Sequence, residues 1–270
     1  MTTRVAMWSG PRNISTAMMR SFSARADTVV VDEPLYAHYL AVTGIDHPGR
    51  AEILASQPQR WEEVAGSLTG PLRGEPGVYY QKHMTHHLLP VIGRSWLSAL
   101  THAFLIRDPS HVVASYARVR GEPTLEDLGY PQQQEIFRAY GGPVVDAADV
   151  LRDPAATLRR LCAALGIDFD PAMLAWPPGP RTTDGVWAPH WYARVQASAY
   201  ERSRRCSTPP RLLGPMTTNP VARRTPSDAA LSPDAPAVSR RRPYSARASS
   251  QTRRTPSLAT PRPVARSATR

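Results

Sequence analysis

Lys82 is the only lysine in a chain of 270 residues, and arginine supplies every other basic side chain. It lies in the stretch GVYYQKHMTHH, just before His83, His86 and His87. An ammonium group can stabilise charge on a phosphate or sulfate group, and a nearby histidine can accept a proton. Histidines at i, i+3 and i+4 could instead bind zinc from one helical face. No His-Glu-x-x-His pattern and no nearby cysteine or carboxylate supports zinc, so we expect anion chemistry and no metal site.

A second candidate site is the segment SGPRNISTAMM near the start of the chain. A strand that enters a helix through a Gly-Pro turn directs backbone N–H groups at an anion. Arg12, Asn13, Ser15 and Thr16 lie in this turn and add polar groups suited to a phosphate. An ordinary capped strand–helix connection has similar residues. The second glycine and the lysine of a Walker A loop are absent, which disfavours an ATPase or GTPase.

The segment IRDPSHVVASYARVR is a third candidate. Arg107 ends a predicted strand, Asp108 and Pro109 begin a helix, and Ser115 follows two turns later. Arg107 and Ser115 could hold a second phosphate of the same ligand. Alternatively, Asp108 only caps the helix and pairs with Arg107.

The elements around these segments predict an α/β fold with a mainly parallel sheet, because strand, turn and helix alternate along the chain. The predicted strands are RVAMWSG, TVVVDEPLY, GVYYQKH, HAFLIRD and GPVVDAADVL. The predicted helices are NISTAMMRSFSAR, PSHVVASYARVRG and DPAATLRRLCAALG. Ligands of such sheets bind at the carboxyl ends of the strands. Lys82, Arg107, Glu33 and the turn at 9–16 all fall at such ends.

Residues 201–270 differ in composition from the rest of the chain. They hold 15 arginines, three acidic residues and 11 of the 28 prolines, whereas the first 200 residues hold 18 basic and 19 acidic side chains. We therefore predict a folded domain over 1–200 and a disordered tail over 201–270. The tail could bind nucleic acid or anionic membranes non-specifically, or be an extension without a selected function. We expect no other nucleic-acid binding.

Other composition features predict a cytoplasmic protein. No apolar run of about 18 residues suggests a membrane span, and the start of the chain lacks the layout of a signal peptide. Cys162 and Cys206 do not form a disulfide framework, so a reducing compartment is expected. The sequence gives no indication of an oligomeric state.

Together, the three segments resemble the sulfotransferases. The pattern P-[KR]-x-x-[ST]-T, here Pro11 to Thr16, resembles the family's 5′-phosphosulfate loop. The pattern R-D-P-x5-S, here Arg107 to Ser115, resembles its 3′-phosphate motif, and Lys82 lies about 25 residues earlier, where the family places a catalytic lysine. The resemblance covers roughly residues 3–200. The segments LGYPQQQEIF and PPGPRTTDGVWAPHWYARV resemble a bacterial and plant subgroup, some of whose members carry an aminotransferase-like name.

The resemblance implies a P-loop-like three-layer sandwich and a specific reaction. A sulfuryl group would move from 3′-phosphoadenosine 5′-phosphosulfate, the co-substrate, to a hydroxyl or amine of an unknown small-molecule acceptor. Lys82 would stabilise charge on the transferring group. The nucleotide would be bound by Arg12, Asn13, Ser15, Thr16, Arg107 and Ser115.

The proton acceptor stays open, because Met84 stands where many members have a histidine two residues after the lysine. The candidates are Glu33, His83 and His86. The loop has Arg12 for the usual lysine and Ile14 for the usual glycine, and the family's Arg-Lys-Gly clamp near the C-terminus is not evident. A second hypothesis follows from these differences, namely a non-catalytic protein that binds a nucleotide or polyanion on the same fold.

Overall fold

The computed structural model describes residues 1–197, apart from the side chains of Val119, Arg120 and Arg194. The predicted disordered tail, 201–270, lies outside the described residues, as does the predicted domain boundary at residue 200.

The described chain contains a five-stranded sheet of order β2-β3-β1-β4-β5. Its strands are β1 Thr3–Ser9, β2 Thr28–Asp32, β3 Val78–Met84, β4 Thr101–Ile106 and β5 Val144–Asp146. All four pairings between these strands are parallel. The predicted α/β class with a mainly parallel sheet is therefore confirmed.

Helices connect the strands. The α-helices are α1 Ser15–Ser23, α2 Tyr36–Thr43, α3 Arg50–Ser56, α4 Trp61–Thr69, α5 Pro109–Arg120, α6 Leu125–Leu128, α7 Tyr130–Tyr140, α8 Ala147–Arg152, α9 Pro154–Ala164, α10 Ala188–Trp191 and α11 Ala193–Gln196. Short 3-10 helices span Thr85–His87, Ser95–Ala99 and Pro171–Leu174. Within residues 1–197, we find no helix with the length and apolar character needed to cross a bilayer.

One predicted strand, GPVVDAADVL, is shorter than expected. Only Val144–Asp146 is extended, and α8 follows at once. The reason is local, because the Asp146 carboxylate accepts a hydrogen bond of 2.8 Å from the Ala148 backbone N–H and so caps the helix.

Alternating side chains of the central strand bury against different helices, which makes three layers. Val5 and Met7 share a core with residues of α1 and α9 on one face of the sheet. Ala6 and Trp8 share another core with residues of α4 and α7 on the opposite face. Successive side chains of a strand point to opposite faces of the sheet. Because apolar side chains of β1 point to both faces, helices must cover both faces to bury them. The predicted three-layer sandwich is confirmed.

The carboxyl ends of β1 and β4 are tied together at the edge where the candidate residues lie. The side-chain amide of Gln133 donates to the carbonyl oxygens of Trp8 and Leu105, at 3.1 and 3.2 Å. Gly10 follows β1 so closely against α6 that a Cβ there would lie 2.6 Å from the Leu128 carbonyl oxygen. This packing fixes the direction in which the first loop leaves the sheet.

Candidate active site

A cavity of about 460 Å³ opens at the carboxyl edge of the sheet. The candidate residues that line it are Arg12, Asn13, Ser15, Thr16, Glu33, Lys82, His86, Arg107 and Ser115. They come from four different strand ends, which the parallel sheet brings to one edge. The volume lies within the usual range for a small-molecule site, about 300–1,000 Å³.

The two predicted phosphate motifs are joined by direct hydrogen bonds. The Arg12 guanidinium Nε donates to the Ser115 hydroxyl at 3.0 Å, and Arg107 Nη1 donates to the Arg12 carbonyl oxygen at 2.8 Å. Arg12 adopts a φ of 58°, a left-handed conformation that is costly for a residue with a side chain. Such strain is concentrated at functional sites. The loop after β1 and helix α5 thus form one continuous polar surface.

Asn13 shapes the first loop through its own amide. Its Nδ2 donates to the Leu105 carbonyl oxygen and its Oδ1 accepts from the Ile14 backbone N–H, both at 3.0 Å. Helix α1 then begins at Ser15, and no side chain in the described part of the chain caps it. Its first N–H groups and its positive dipole end lie beside the cavity, a setting that favours an anion.

Lys82 lies two residues before the end of β3 and is almost fully buried, with 1% of its surface exposed. Its Nζ donates to Asp32 Oδ1 at 2.9 Å, to Glu33 Oε1 at 2.5 Å and to the Tyr192 hydroxyl at 3.0 Å. Burial by itself would lower the pKa of Lys82, but the charges of Asp32 and Glu33 outweigh it and hold this pKa well above its usual value. The ammonium is therefore charged, and all three of its N–H donors are used.

Glu33 directly follows β2 and lines the cavity beside Lys82. Burial raises the pKa of the Glu33 carboxyl, and the neighbouring Asp32 charge adds to that effect, while the Lys82 ammonium opposes it. The backbone of Glu33 is left-handed, with a φ of 41°. A carboxylate with a raised pKa at a cavity wall has the properties of a general base.

His83 does not reach the cavity. Successive residues of a strand point to opposite faces, so His83 faces away from Lys82. Its ring stacks on Trp8 at 4.2 Å, and its Nε2 lies 3.2 Å from Gln81 Oε1. Burial lowers the pKa of His83 to about 3. Of the three candidate proton acceptors, Glu33 and His86 therefore line the cavity and His83 does not.

His86 and His87 lie after β3, in the 3-10 helix Thr85–His87, and both line the cavity. His83 belongs to the strand, so the three histidines do not share a helical face as the zinc alternative requires. Over residues 1–197, no group of three or more His, Cys, Asp or Glu side chains is arranged to hold a metal ion.

A family model, the sulfotransferase domain, matches residues 3–209. The chain belongs to the sulfotransferase family. Two Arabidopsis thaliana relatives are named branched-chain-amino-acid aminotransferase-like protein 1 and protein 2, and they are 40% and 36% identical over 196 and 197 residues. Each alignment covers 71% of this chain and 35% of the relative, so this sulfotransferase-family chain spans about a third of their length.

Solved sulfotransferase structures are also similar. The sulfotransferase domain of the olefin synthase of Synechococcus PCC 7002 superimposes with a TM-score of 0.46 and 17% identity, covering 79% of this chain and 90% of that one. The sulfotransferase domain from the curacin biosynthetic pathway superimposes with a TM-score of 0.44 and 19% identity, covering 70% of this chain and 82% of that one.

Sequence reasoning missed two residues of this sulfotransferase-family site, Asp32 and Tyr192. The Tyr192 hydroxyl donates to Asp32 Oδ2 at 2.6 Å and accepts from Trp187 Nε1 at 3.1 Å, besides accepting from Lys82. The Gly185 N–H also donates to Asp32 Oδ2, at 3.2 Å. Asp32 precedes Glu33 and could have been noticed as a second carboxylate at the same strand end. Tyr192 carries no local signal, because it lies 110 residues from Lys82.

A buried ion pair holds the segment that carries Tyr192 against helix α1. Arg20 of α1 donates to Asp184 Oδ2 at 2.6 Å, and the two side chains are 1% and 4% exposed. Arg20 also donates to the Gly179 carbonyl oxygen at 3.4 Å. Removing one partner from such a pair leaves a buried charge without compensation, which is strongly destabilising. The pair thus ties the segment 177–192 to the first helix.

Proposed function

We propose that this domain transfers a sulfuryl group from 3′-phosphoadenosine 5′-phosphosulfate to a hydroxyl or amine of a small-molecule acceptor. The observation that carries the proposal is the convergence of Lys82, Glu33 and both phosphate motifs on one cavity. Membership of the sulfotransferase family supports the same chemistry.

The polar groups of the cavity fit the nucleotide. The first turn of α1 and the Arg12 guanidinium would hold the 5′-phosphosulfate, where N–H donors and positive charge face the cavity. Arg107 and Ser115 would hold the 3′-phosphate from the neighbouring strand end. When bound, the nucleotide supplies the sulfuryl group that is transferred.

Glu33 would act as the base and Lys82 as the charge stabiliser. Glu33 accepts the proton of the acceptor hydroxyl as its oxygen forms a bond to sulfur; the bond from sulfur to the 5′-phosphate oxygen breaks, and its electron pair stays on that oxygen. Lys82 stabilises the negative charge that develops there. Lys82 Nζ lies 2.5 Å from Glu33 Oε1 and donates one of its N–H groups to it. Protonation of Glu33 removes the negative charge on that carboxylate, so this N–H group becomes available to the oxygen of the leaving phosphate.

Calorimetric titration of the full chain tests the nucleotide site. We expect 3′-phosphoadenosine 5′-phosphate to bind more tightly than adenosine 5′-phosphate, by about 10- to 150-fold for one charge-assisted contact of ~1.5–3 kcal/mol. Arg107→Ala should remove that difference. Arg60→Ala, which alters a surface arginine outside the cavity, should keep it. Equal affinity of the two nucleotides for the unmodified chain would contradict the proposal.

The same titrations separate the enzyme from the alternative, a non-catalytic polyanion binder. A polyanion binder would bind 3′-phosphoadenosine 5′-phosphate and adenosine 5′-phosphate weakly, and its affinity for both would fall in parallel as the salt concentration is raised. For the enzyme, Glu33→Gln should retain nucleotide affinity and lower sulfuryl transfer by about 10²–10⁴-fold, because a neutral amide cannot accept the proton. Unchanged turnover in that variant would remove Glu33 from the mechanism.

A cytoplasmic location belongs to the same proposal. Cys162 is a buried free thiol, which fits a reducing compartment. The basic tail is proposed to add only non-specific, salt-sensitive binding to nucleic acid.

A further inference from the structure

A second, much smaller cavity lies between the loop 10–14 and the start of α7. Its volume is about 10 Å³, which is close to the space that one water molecule needs. We propose that a buried water molecule binds there to the Tyr130 hydroxyl and holds the Asn13 side chain of the loop in place. Tyr130 is then a positioning residue for the nucleotide, and this role rests on the proposed function.

The segment LGYPQQQEIF forms one wall of this small cavity. Gly129 lies between α6 and α7 with a φ of 69°, and a Cβ there would lie 2.6 Å from the His86 backbone nitrogen. The start of α7 is therefore packed directly against the turn that follows β3. Tyr130 is the first residue of α7, and Gln133 follows on the same side of the helix. Both residues line the small cavity.

The Tyr130 hydroxyl is a buried polar group that needs a partner. It has no hydrogen-bond partner among residues 1–197. Burial raises the pKa of Tyr130, and the nearby Asp108 charge adds to that effect, so the hydroxyl keeps its proton. Buried polar groups of folded proteins are paired with the protein or with ordered water. The cavity that Tyr130 lines supplies the space for such a water.

Asn13 and Gln133 line the same cavity and can supply the other hydrogen bonds of the water. Asn13 Nδ2 uses one of its two N–H groups on the Leu105 carbonyl oxygen. Gln133 Nε2 uses both of its N–H groups on the Trp8 and Leu105 carbonyl oxygens, which leaves its Oε1 as an acceptor. A water molecule can accept from Tyr130 and Asn13 and donate to Gln133. Three hydrogen bonds are typical of a buried water.

Such a water would stabilise the loop in the shape that binds an anion. Asn13 Oδ1 accepts from the Ile14 N–H at 3.0 Å, just before α1 begins. The first N–H groups of α1 are those proposed to hold the 5′-phosphosulfate. Arg12 has a φ of 58°, and a strained backbone of this kind persists only where its surroundings hold it. Fixing Asn13 from the side of α7 therefore supports the nucleotide site.

Urea unfolding of the full chain distinguishes a hydrated cavity from a dry one. Tyr130→Phe should lower the urea concentration at the midpoint by about 0.3–0.7 M, because the hydroxyl loses a hydrogen bond to the water. Tyr80→Phe is the control, since the Tyr80 hydroxyl is also buried without a partner in the described chain, but Tyr80 lines neither cavity. It should leave the midpoint within about 0.2 M or raise it slightly. Equal midpoints for the two variants would overturn the inference.

Calorimetric titration with 3′-phosphoadenosine 5′-phosphate tests the positioning role. Tyr130→Phe should weaken its binding about threefold to tenfold, and Tyr80→Phe should leave it within about twofold. A lowered midpoint in Tyr130→Phe with unchanged nucleotide affinity would overturn the positioning role, because the hydroxyl would then serve stability alone. If the unmodified chain fails to bind the nucleotide while the difference in midpoint persists, the proposed function is refuted and the water site is supported.

Discussion

Replacing Tyr192 by phenylalanine removes one hydroxyl and leaves the ring in place. That hydroxyl makes all three hydrogen bonds that a hydroxyl can make, since it donates to Asp32 and accepts from both Lys82 and Trp187. In Tyr192→Phe, the Trp187 N–H loses its partner inside the protein, where Trp187 is 1% exposed. Asp32 loses its shortest hydrogen bond but keeps those from Lys82 and the Gly185 N–H. One N–H of the buried Lys82 ammonium also loses its acceptor.

The expected loss of stability follows from the buried donors left without an acceptor and from the hydrogen bond that Asp32 loses. A buried donor without a partner costs about 1–3 kcal/mol, and a lost hydrogen bond to a charged group costs about 1.5–3 kcal/mol. The two effects share one hydroxyl and are not fully additive, so we expect Tyr192→Phe to lower the free energy of unfolding by about 2–5 kcal/mol. The space left beside the ring is only that of one oxygen atom, so the lost hydrogen bonds dominate the effect.

Tyr80→Phe is the matched control, because the Tyr80 hydroxyl is buried and has no hydrogen-bond partner in the described chain. Removing it should leave stability unchanged within about 0.5 kcal/mol or raise it slightly. Urea unfolding of both variants measures the difference in stability as a shift of the urea concentration at the midpoint, provided that the slope of unfolding free energy against urea concentration is the same. Equal midpoints for Tyr192→Phe and Tyr80→Phe would refute the hydrogen-bonded network around Lys82.

Three further predictions concern other parts of the site. Asp32→Asn should move the acidic limb of the pH profile of kcat/KM to lower pH, because the Asp32 charge raises the pKa of the proposed base; an unmoved limb would contradict this. Gly10→Ala should weaken nucleotide binding in calorimetry, since its Cβ would lie 2.6 Å from the Leu128 carbonyl oxygen and the loop must shift; wild-type affinity would show that the loop position is unimportant. Arg20→Leu should lower the free energy of unfolding by about 3–5 kcal/mol, measured in urea, because it leaves the Asp184 charge buried without its counter-ion. A decrease below about 1 kcal/mol would show that the ion pair does not stabilise the fold.

The sequence by itself predicted the sheet and one end of the cavity. Strand and helix periods and turn residues are local signals, and they indicated β1, β3 and β4 close to their observed bounds. Because parallel strands share one carboxyl edge, Arg12, Arg107 and Lys82 could be expected near one another without knowing the strand order. The helices between β2 and β3 were not predicted, since short helices without clear caps give weak signals.

Tertiary structure decided which groups act together. Alternation along β3 required Lys82 and His83 to face opposite ways, but only the packing of Trp8 against His83 shows which one faces the cavity. The hydroxyl of Tyr192 meets Asp32 across 160 residues of chain, and it does so because the segment 177–192 folds back onto the sheet edge. A hydrogen bond depends on distance in space and not on separation along the chain, so composition and spacing could not reveal it.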